Sequence, residues 1–226
     1  TGVRHRPLLE IAGKPIILHV LAALGGTSSI DRVALVAPPP VLEVADELMV
    51  DARVPAGDSF LDNLLRGLAT MTCEHSHAGH VLVITGDLPL ITAAAIDDFV
   101  ARAVAASADL AYPIIPKACC ERRFPEGRRT YVRLREGVFT GGNAVVMTQA
   151  FAEQSQELIG RLYASRKNPL KLARLFGPRF LLGLLLGRLT IPALEQRASG
   201  IVGAKARAII SEHPELGFDV DKLEDL

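Results

Sequence analysis

The fold is decided by the stretch Val81 to Leu90, VLVITGDLPL. Its apolar first half, Val81 to Thr85, predicts a strand that is buried on both faces. Gly86, Asp87 and Pro89 then end the strand abruptly, because glycine and proline favour a turn there. Open α/β sheets bind their ligands beside the carboxyl ends of their strands. Asp87 is therefore expected to point its carboxylate into a ligand crevice, with Gly86 allowing close approach of the ligand; a simple turn before the next helix is the alternative.

A second acidic cluster lies in the segment Gly217 to Leu226. Asp219 and Asp221 occupy alternate positions there, so they share one face if the segment is extended. Magnesium is usually held by one or two protein carboxylates together with waters and substrate phosphates. Asp87 with Asp221, or Asp87 with Asp219, would supply such a pair.

The order of elements around this strand predicts an α/β fold. A strand at 33–37 precedes a short helix, and a strand at 52–57 precedes a helix that begins near Phe60. This repeated order predicts a three-layer architecture with a mostly parallel central sheet flanked by helices. With 226 residues, the chain is expected to form one domain, 1–226, with a helical segment at 150–199.

Composition excludes several classes of protein. The 25 basic and 25 acidic residues balance, so no global charge favours binding to nucleic acid. Three cysteines, of which Cys119 and Cys120 are adjacent, make no disulfide framework, and a cytoplasmic location is expected. The most apolar run, Phe180 to Gly187, is far shorter than the roughly 20 residues of a membrane span. The apolar segment 170–190 predicts a buried helix, with a homodimer surface or a docking site for a hydrophobic acceptor as the alternatives.

Three motifs in this order resemble the MobA-like NTP transferases, the branch of nucleotidyltransferases typified by molybdenum cofactor guanylyltransferase. They are the opening segment Arg6 to Pro15, the Gly-Asp-x-Pro turn at 86–89 and the terminal Phe-Asp-Val-Asp segment at 218–221. The resemblance implies a Rossmann-like, nucleotide-diphospho-sugar transferase-like fold. It also implies Mg²⁺-dependent transfer of a nucleoside monophosphate from a nucleoside triphosphate to a phosphorylated acceptor, with release of pyrophosphate. Members of the family open with a strand and a Gly-rich loop before the segment that Arg6 to Pro15 resembles. This sequence lacks both, and it leaves open whether the full-length protein carries them.

The resemblance also implies roles for individual residues. In the family, the Asp after the central strand and an Asp or Asn in the terminal motif hold the metal, and these roles fall on Asp87 and Asp221, with Asp219 as the less favoured choice. Lys222 and Leu223 replace the usual Thr-Pro of that motif, which leaves the choice between Asp219 and Asp221 open.

The resemblance to the family implies separate sites for the nucleotide and the acceptor. Arg6 stands where the family has a lysine that reaches the triphosphate. The stretch Gly57 to Asn63, with Ser59, is expected to contact the nucleotide; a helix cap with a polar surface residue is the alternative. Gly142 and Asn143 are expected to line the acceptor side, with a hairpin turn as the alternative.

A basic segment, Lys117 to Arg135, follows a strand at 109–116. Two prolines in that strand predict an edge position or a bulge. The basic segment is typical either of a lid that grips phosphates or of a solvated loop, and Lys117 is expected to contact the acceptor or the leaving pyrophosphate.

Two other functions remain open from the sequence. A glycosyltransferase of related fold would use the Asp219-Val220-Asp221 triplet to hold the metal of a nucleotide sugar. A non-catalytic module would bind a nucleotide or a sugar phosphate without transferring it.

Overall fold

The computed structural model describes residues 5–45, 50–71, 79–156, 158 and 177–220, without the side chains of 178, 179 and 181. Asp221, the predicted second metal ligand, lies outside these residues. Part of the predicted helical segment at 150–199 also lies outside them, because 157 and 159–176 are not described.

Strands and helices alternate along much of the described chain. The strands are β1 (Glu10–Ile11), β2 (Lys14–Pro15), β3 (Ala34–Ala37), β4 (Ala52–Pro55), β5 (His80–Ile84), β6 (Leu110–Pro116), β7 (Val132–Leu134), β8 (Gly137–Gly141), β9 (Ala144–Thr148) and β10 (Ala206–Ile210). The helices are α1 (Ile16–Gly25), α2 (Pro39–Val44), α3 (Phe60–Met71), α4 (Ala93–Ala105), α5 (Lys117–Arg123), α6 (Gln149–Gln154), α7 (Pro178–Leu185) and α8 (Ile191–Val202).

In the central sheet, β5 pairs with β9 and β7 pairs with β8, while β9 and β8 both pair with one edge of β6. Strand β10 pairs with the opposite edge of β6. Strands β5, β6, β7 and β10 run in one direction, whereas β8 and β9 run in the opposite direction. The predicted α/β fold with a central sheet flanked by helices is confirmed. The hydrogen-bonded pairs are mixed, however: β6–β10 and the separate β3–β4 pair are parallel, and the pairs made by β8 and β9 are antiparallel.

Strand β5 is packed on both faces, as its apolar run predicted. Leu82 and Ile84 pack against the cluster that includes α1 and α4. Val81 and Val83 pack against a second cluster on the opposite face, to which α3, α6 and α8 contribute. This alternation follows from the period of two in a strand, and it gives the three layers of the fold.

Helix α7 leaves apolar side chains exposed to solvent. Leu185 is 84% exposed, and Leu182 and Leu186 are each more than half exposed. The homodimer surface predicted within 170–190 stays a prediction. None of the described helices is both long enough and apolar enough to span a membrane.

Candidate active site

The turn after β5 carries the predicted catalytic aspartate, and a buried leucine fixes it to the core. Leu88, directly after Asp87, is fully buried in the main core, which contributes about 2 kcal/mol to stability. A Cβ on Gly86 would lie 3.1 Å from Cδ1 of Ile17 and 3.7 Å from Cγ of Pro7. Close packing therefore accounts for the glycine, and the predicted approach of a ligand to Gly86 stays a prediction.

The Asp87 carboxylate is buried more deeply than its charge favours. Its side chain is 19% exposed, and its Oδ1 is buried without a hydrogen-bond partner among the described residues. Burial raises the pKa of Asp87, and the nearby Asp219 charge raises it further, while a hydrogen bond from Thr85 and the charge of Arg6 oppose the shift. Nη1 of Arg6 lies 3.9 Å from Oδ2 of Asp87, and the Arg6 side chain is 54% exposed. A buried carboxylate oxygen with an unused lone pair is suited to binding a cation.

The segment 216–220 is hydrogen-bonded to this turn through the main chain. The N–H of Val220 donates to the carbonyl of Asp87 at 3.1 Å. The N–H of Asn143 donates to the carbonyl of Leu216 at 2.7 Å, and the N–H of Thr85 donates to the carbonyl of Asn143 at 3.2 Å. Asn143 therefore bridges the turn after β5 and the terminal segment.

Gly142 and Asn143 form the break between β8 and β9, which lie end to end along one edge of β6. The N–H of Gly142 donates to the carbonyl of Pro113 at 3.0 Å, so the edge of Pro113 that lacks an N–H faces this break. Strand β6 is paired on both edges, so of the two predicted positions, an edge or a bulge, Pro113 occupies the second: the register shifts by two residues opposite it. A Cβ on Gly142 would lie 2.8 Å from Cγ of Pro113 and 3.0 Å from the carbonyl of Leu216, so only glycine fits at this position without rearrangement.

Asp219 is the second carboxylate that the structure places at this turn. Its Oδ1 accepts hydrogen bonds from Nη1 of Arg129 at 2.6 Å and from Nδ2 of Asn143 at 2.9 Å. Its Oδ2 accepts none from the described residues. Asp219 is close enough to Asp87 for its charge to raise the pKa of Asp87, and Asp87 Oδ1 and Asp219 Oδ2 are the oxygens of this pair that accept no hydrogen bond from the described residues.

This pair fits a magnesium ion better than a metal that needs many protein ligands. Within the described ranges, no group of three or more His, Cys, Asp and Glu residues is arranged to hold a metal. Magnesium needs only one or two carboxylates and completes its shell with waters and phosphates. The unpartnered Oδ1 of Asp87 is the observation that supports the fit.

The residues predicted to contact the nucleotide form a helix start. Oδ1 of Asn63 accepts a hydrogen bond from the N–H of Gly57 at 2.7 Å, and Oγ of Ser59 accepts one from the N–H of Asp62 at 3.0 Å. The side chain of Ser59 thus caps α3. This local role is the alternative that the sequence left open, and contact with a nucleotide stays a prediction for all three predicted residues.

Lys117 begins α5 and makes contacts of its own. Its Nζ lies 3.2 Å from Oε1 of Glu121 and 5.6 Å from the ring centroid of Tyr131. Its predicted contact with the acceptor or with pyrophosphate stays a prediction.

Arg129 is a residue of this site for which the sequence indicated no role of its own. It is one of seven basic residues between 117 and 135, and the sequence does not distinguish it from the other six. Its partner Asp219 lies 90 positions away, so no local spacing could have revealed the contact.

The fold is of the nucleotide-diphospho-sugar transferase-like class, and Asp87 and Asp219 lie beside the carboxyl end of its strand β5. The family model of the MobA-like NTP transferase domain matches residues 1–215, and the chain belongs to this family. It is therefore a transferase enzyme, and the resemblance found in the sequence is confirmed.

Several solved structures are similar to this chain in fold. A hypothetical transferase from Thermus thermophilus is 38% identical, with a TM-score of 0.87 over 99% of this chain and 91% of that chain. The fold is also similar to 4-diphosphocytidyl-2C-methyl-D-erythritol synthase from Anaerococcus prevotii, at 10% identity and a TM-score of 0.61 over 98% of this chain and 86% of that chain. CMP:2-keto-3-deoxy-manno-octonic acid synthetase, solved with CTP, matches at 14% identity and a TM-score of 0.60 over 96% of this chain and 86% of that chain. A search of curated proteins finds no match.

Proposed function

We propose that this enzyme joins a nucleoside monophosphate, taken from a nucleoside triphosphate, to a phosphorylated small-molecule acceptor and releases pyrophosphate. The observation that carries the proposal is the pair of carboxylates, Asp87 and Asp219, at the carboxyl end of β5. Membership of the MobA-like family supports the class of reaction. A cytoplasmic location, expected from the cysteine content, is part of the proposal.

The chemistry needs charge neutralisation more than proton transfer. A phosphate oxygen of the acceptor attacks the α-phosphorus, the bond from the α-phosphorus to the bridging oxygen of pyrophosphate breaks, and pyrophosphate leaves with the electron pair. Because the attacking phosphate is already an anion, no strong general base is required. Asp87 and Asp219 would hold a magnesium ion, with Asp221 as the further candidate, and that ion would neutralise charge that develops on the phosphates.

Arg6 is the proposed protein cation for the triphosphate. Its side chain is more than half exposed and its Nη1 lies 3.9 Å from Oδ2 of Asp87, where a phosphate bound by the metal would be within its reach. An arginine can donate two parallel hydrogen bonds to phosphate oxygens. Lys117, Gly142 and Asn143 are proposed for the acceptor side, and Gly57, Ser59 and Asn63 for the nucleotide.

The proposal is tested by measuring pyrophosphate release. The purified protein is supplied with Mg²⁺, each of the four ribonucleoside triphosphates, and a panel of sugar, polyol and pterin phosphates. We expect release that depends on one acceptor, that is lost in Asp87→Ala, and that is retained in the matched control Asp97→Ala, whose aspartate lies on α4 and bonds to Ser28 and Ser29.

Two outcomes would overturn the proposal. Transfer of a sugar from a nucleotide sugar would identify a glycosyltransferase. Binding of a nucleoside triphosphate by the folded protein without pyrophosphate release for any acceptor would identify a binding module.

A further inference from the structure

We infer that Arg129 is a positioning residue that fixes the orientation of the Asp219 carboxylate for cation binding. The inference rests on the proposed function, because it takes the Asp87 and Asp219 pair as the cation site. Arg129 belongs to the connection between α5 and β7, and its side chain is 16% exposed.

The guanidinium of Arg129 is held at two points. Nη1 donates to Oδ1 of Asp219 at 2.6 Å, and Nη2 donates to the carbonyl of Gly141 at 3.0 Å. A planar group fixed by two donors has a defined direction. The carboxylate that it binds therefore has little freedom to rotate.

Aromatic side chains hold the same guanidinium from one side. Its central carbon lies 5.6 Å from the ring centroid of Phe218, and the Phe124 ring packs on Phe218 with centroids 4.4 Å apart. A Cβ on Gly127 would overlap the Phe218 ring, so the glycine lets the connection lie directly on the terminal segment. The connection that carries Arg129 thus covers the residue next to Asp219.

One N–H donor of Arg129 makes no hydrogen bond in this arrangement. Its Nε is buried and has no hydrogen-bond partner among the described residues. Buried donors in folded proteins are nearly always paired, and an unpaired one calls for an explanation. The explanation is that the guanidinium is oriented to bind Asp219. This orientation leaves Nε without a partner.

The two oxygens of Asp219 therefore have different roles. Oδ1 is taken by Arg129 and Asn143, which leaves Oδ2 as the oxygen that a cation shared with Asp87 would take. Partners that orient a metal ligand in this way change metal affinity by about 10–100-fold when they are removed.

The test measures binding of Mn²⁺, used in place of Mg²⁺, by loss of the electron paramagnetic resonance signal of the free ion. The variants are Arg129→Met, Asp219→Asn and the double variant. A non-hydrolysable nucleoside triphosphate is present at the same concentration in every sample and in a protein-free blank, so that only the signal lost beyond this blank counts as binding by the protein. The control is Arg207→Met, which removes another partly buried arginine, ion-paired with Glu195 at 3.5 Å, whose contacts do not include Asp219.

We expect Arg129→Met to weaken Mn²⁺ binding by about tenfold or more. We expect the double variant to bind no more weakly than Asp219→Asn alone, because Arg129 acts through Asp219. Arg207→Met should bind as the wild type does. Loss of a positive charge alone would strengthen cation binding, so weaker binding distinguishes positioning from a purely electrostatic effect.

Binding that is unchanged or tighter in Arg129→Met would overturn the inference, as would losses that multiply in the double variant. If Arg129→Met does not fold, Arg129→Lys takes its place; a lysine keeps the charge but not the two-point attachment, and weaker Mn²⁺ binding is again expected. A positive Mn²⁺ result without pyrophosphate release in any assay would refute the proposed reaction and leave the inference standing. Pyrophosphate release together with a negative Mn²⁺ result would do the reverse.

Discussion

Asp87, in the turn after β5, and Asp97, on α4, differ in how their carboxylates are hydrogen-bonded. Asp97, on α4, is half-buried and accepts hydrogen bonds from the N–H and hydroxyl groups of both Ser28 and Ser29. These bonds, led by the Ser29 hydroxyl, lower the pKa of Asp97 to about 2. Asp87 is buried, has an oxygen without a partner among the described residues, and has a raised pKa.

The contrast separates a carboxylate that stabilises the fold from one that the fold holds at a cost. The Asp97 carboxylate joins the loop after α1 to α4, and every bond it accepts favours the folded chain. The Asp87 carboxylate loses hydration on folding and gains little in return. Ionisable groups with a pKa raised by burial are concentrated at functional sites, and replacing them often increases the stability of the protein.

Replacing Asp87 with asparagine gives the sharpest test of this contrast. Asp87→Asn removes the charge that burial disfavours, so we expect the free energy of unfolding at pH 7 to rise by about 1 kcal/mol. The melting temperature should rise by about 2–4 °C, while pyrophosphate release falls by about a hundredfold or more. Thermal unfolding and the release assay on the same sample check both. A lower melting temperature together with full activity would contradict the contrast.

The pH dependence of the wild type is the second test. Because the folded-state pKa of Asp87 is raised, its contribution to stability is fully present below the unfolded value, about 3.9, and is lost as the pH rises through the folded value. Activity should rise as the pH rises through the folded-state pKa of Asp87, because the ionised carboxylate is the form that binds a cation. Initial rates and melting temperatures recorded against pH test this, with Asp87→Asn as the stability control. If the Asp87→Asn melting curve follows pH as the wild type does in this window, Asp87 is not the responsible group.

The smallest effect is expected at the other aspartate. Asp97→Asn weakens the bonds to Ser28 and Ser29, so we expect a slightly lower melting temperature at neutral pH and unchanged pyrophosphate release. The contribution of Asp97 is present above the ordinary Asp pKa and is lost as the pH falls towards about 2. The stability difference between variant and wild type should therefore shrink in acid, as measured by denaturant unfolding at several pH values. A difference that stays constant down to pH 2 would show that the carboxylate charge is not involved.

The fold was predictable where the decisive signals are local. The apolar run of β5, the turn at Asp87 and the order of strands and helices each depend on neighbouring residues. The mixed pairing of the sheet was not predictable in this way. Pro113 indicated an edge or a bulge, but the break between β8 and β9 that accommodates it comes from a segment about 30 residues later, as the Tyr112 hydroxyl bond to the Gly142 carbonyl illustrates.

The site shows the same limit. Asp87 could be predicted because it follows a strand directly. Asp219 and Asp221 could not be ranked by spacing, since alternate positions of an extended segment share a face, and Asp221 lies outside the described residues. Ser59 carries both a capping and a nucleotide-binding interpretation, and the sequence contains nothing that separates them.

The hydrogen bonds of Asp219 have a consequence for how the enzyme is made. They reach Asn143 across 76 positions and Arg129 across 90, so the loops that join these residues must close before the bonds can form. Chains are synthesised from the amino terminus, and the segment around Asp219 emerges after both of its partners. We therefore expect a ribosome-bound chain that already carries a folded β5 and α4 to remain without a cation site until this late segment docks.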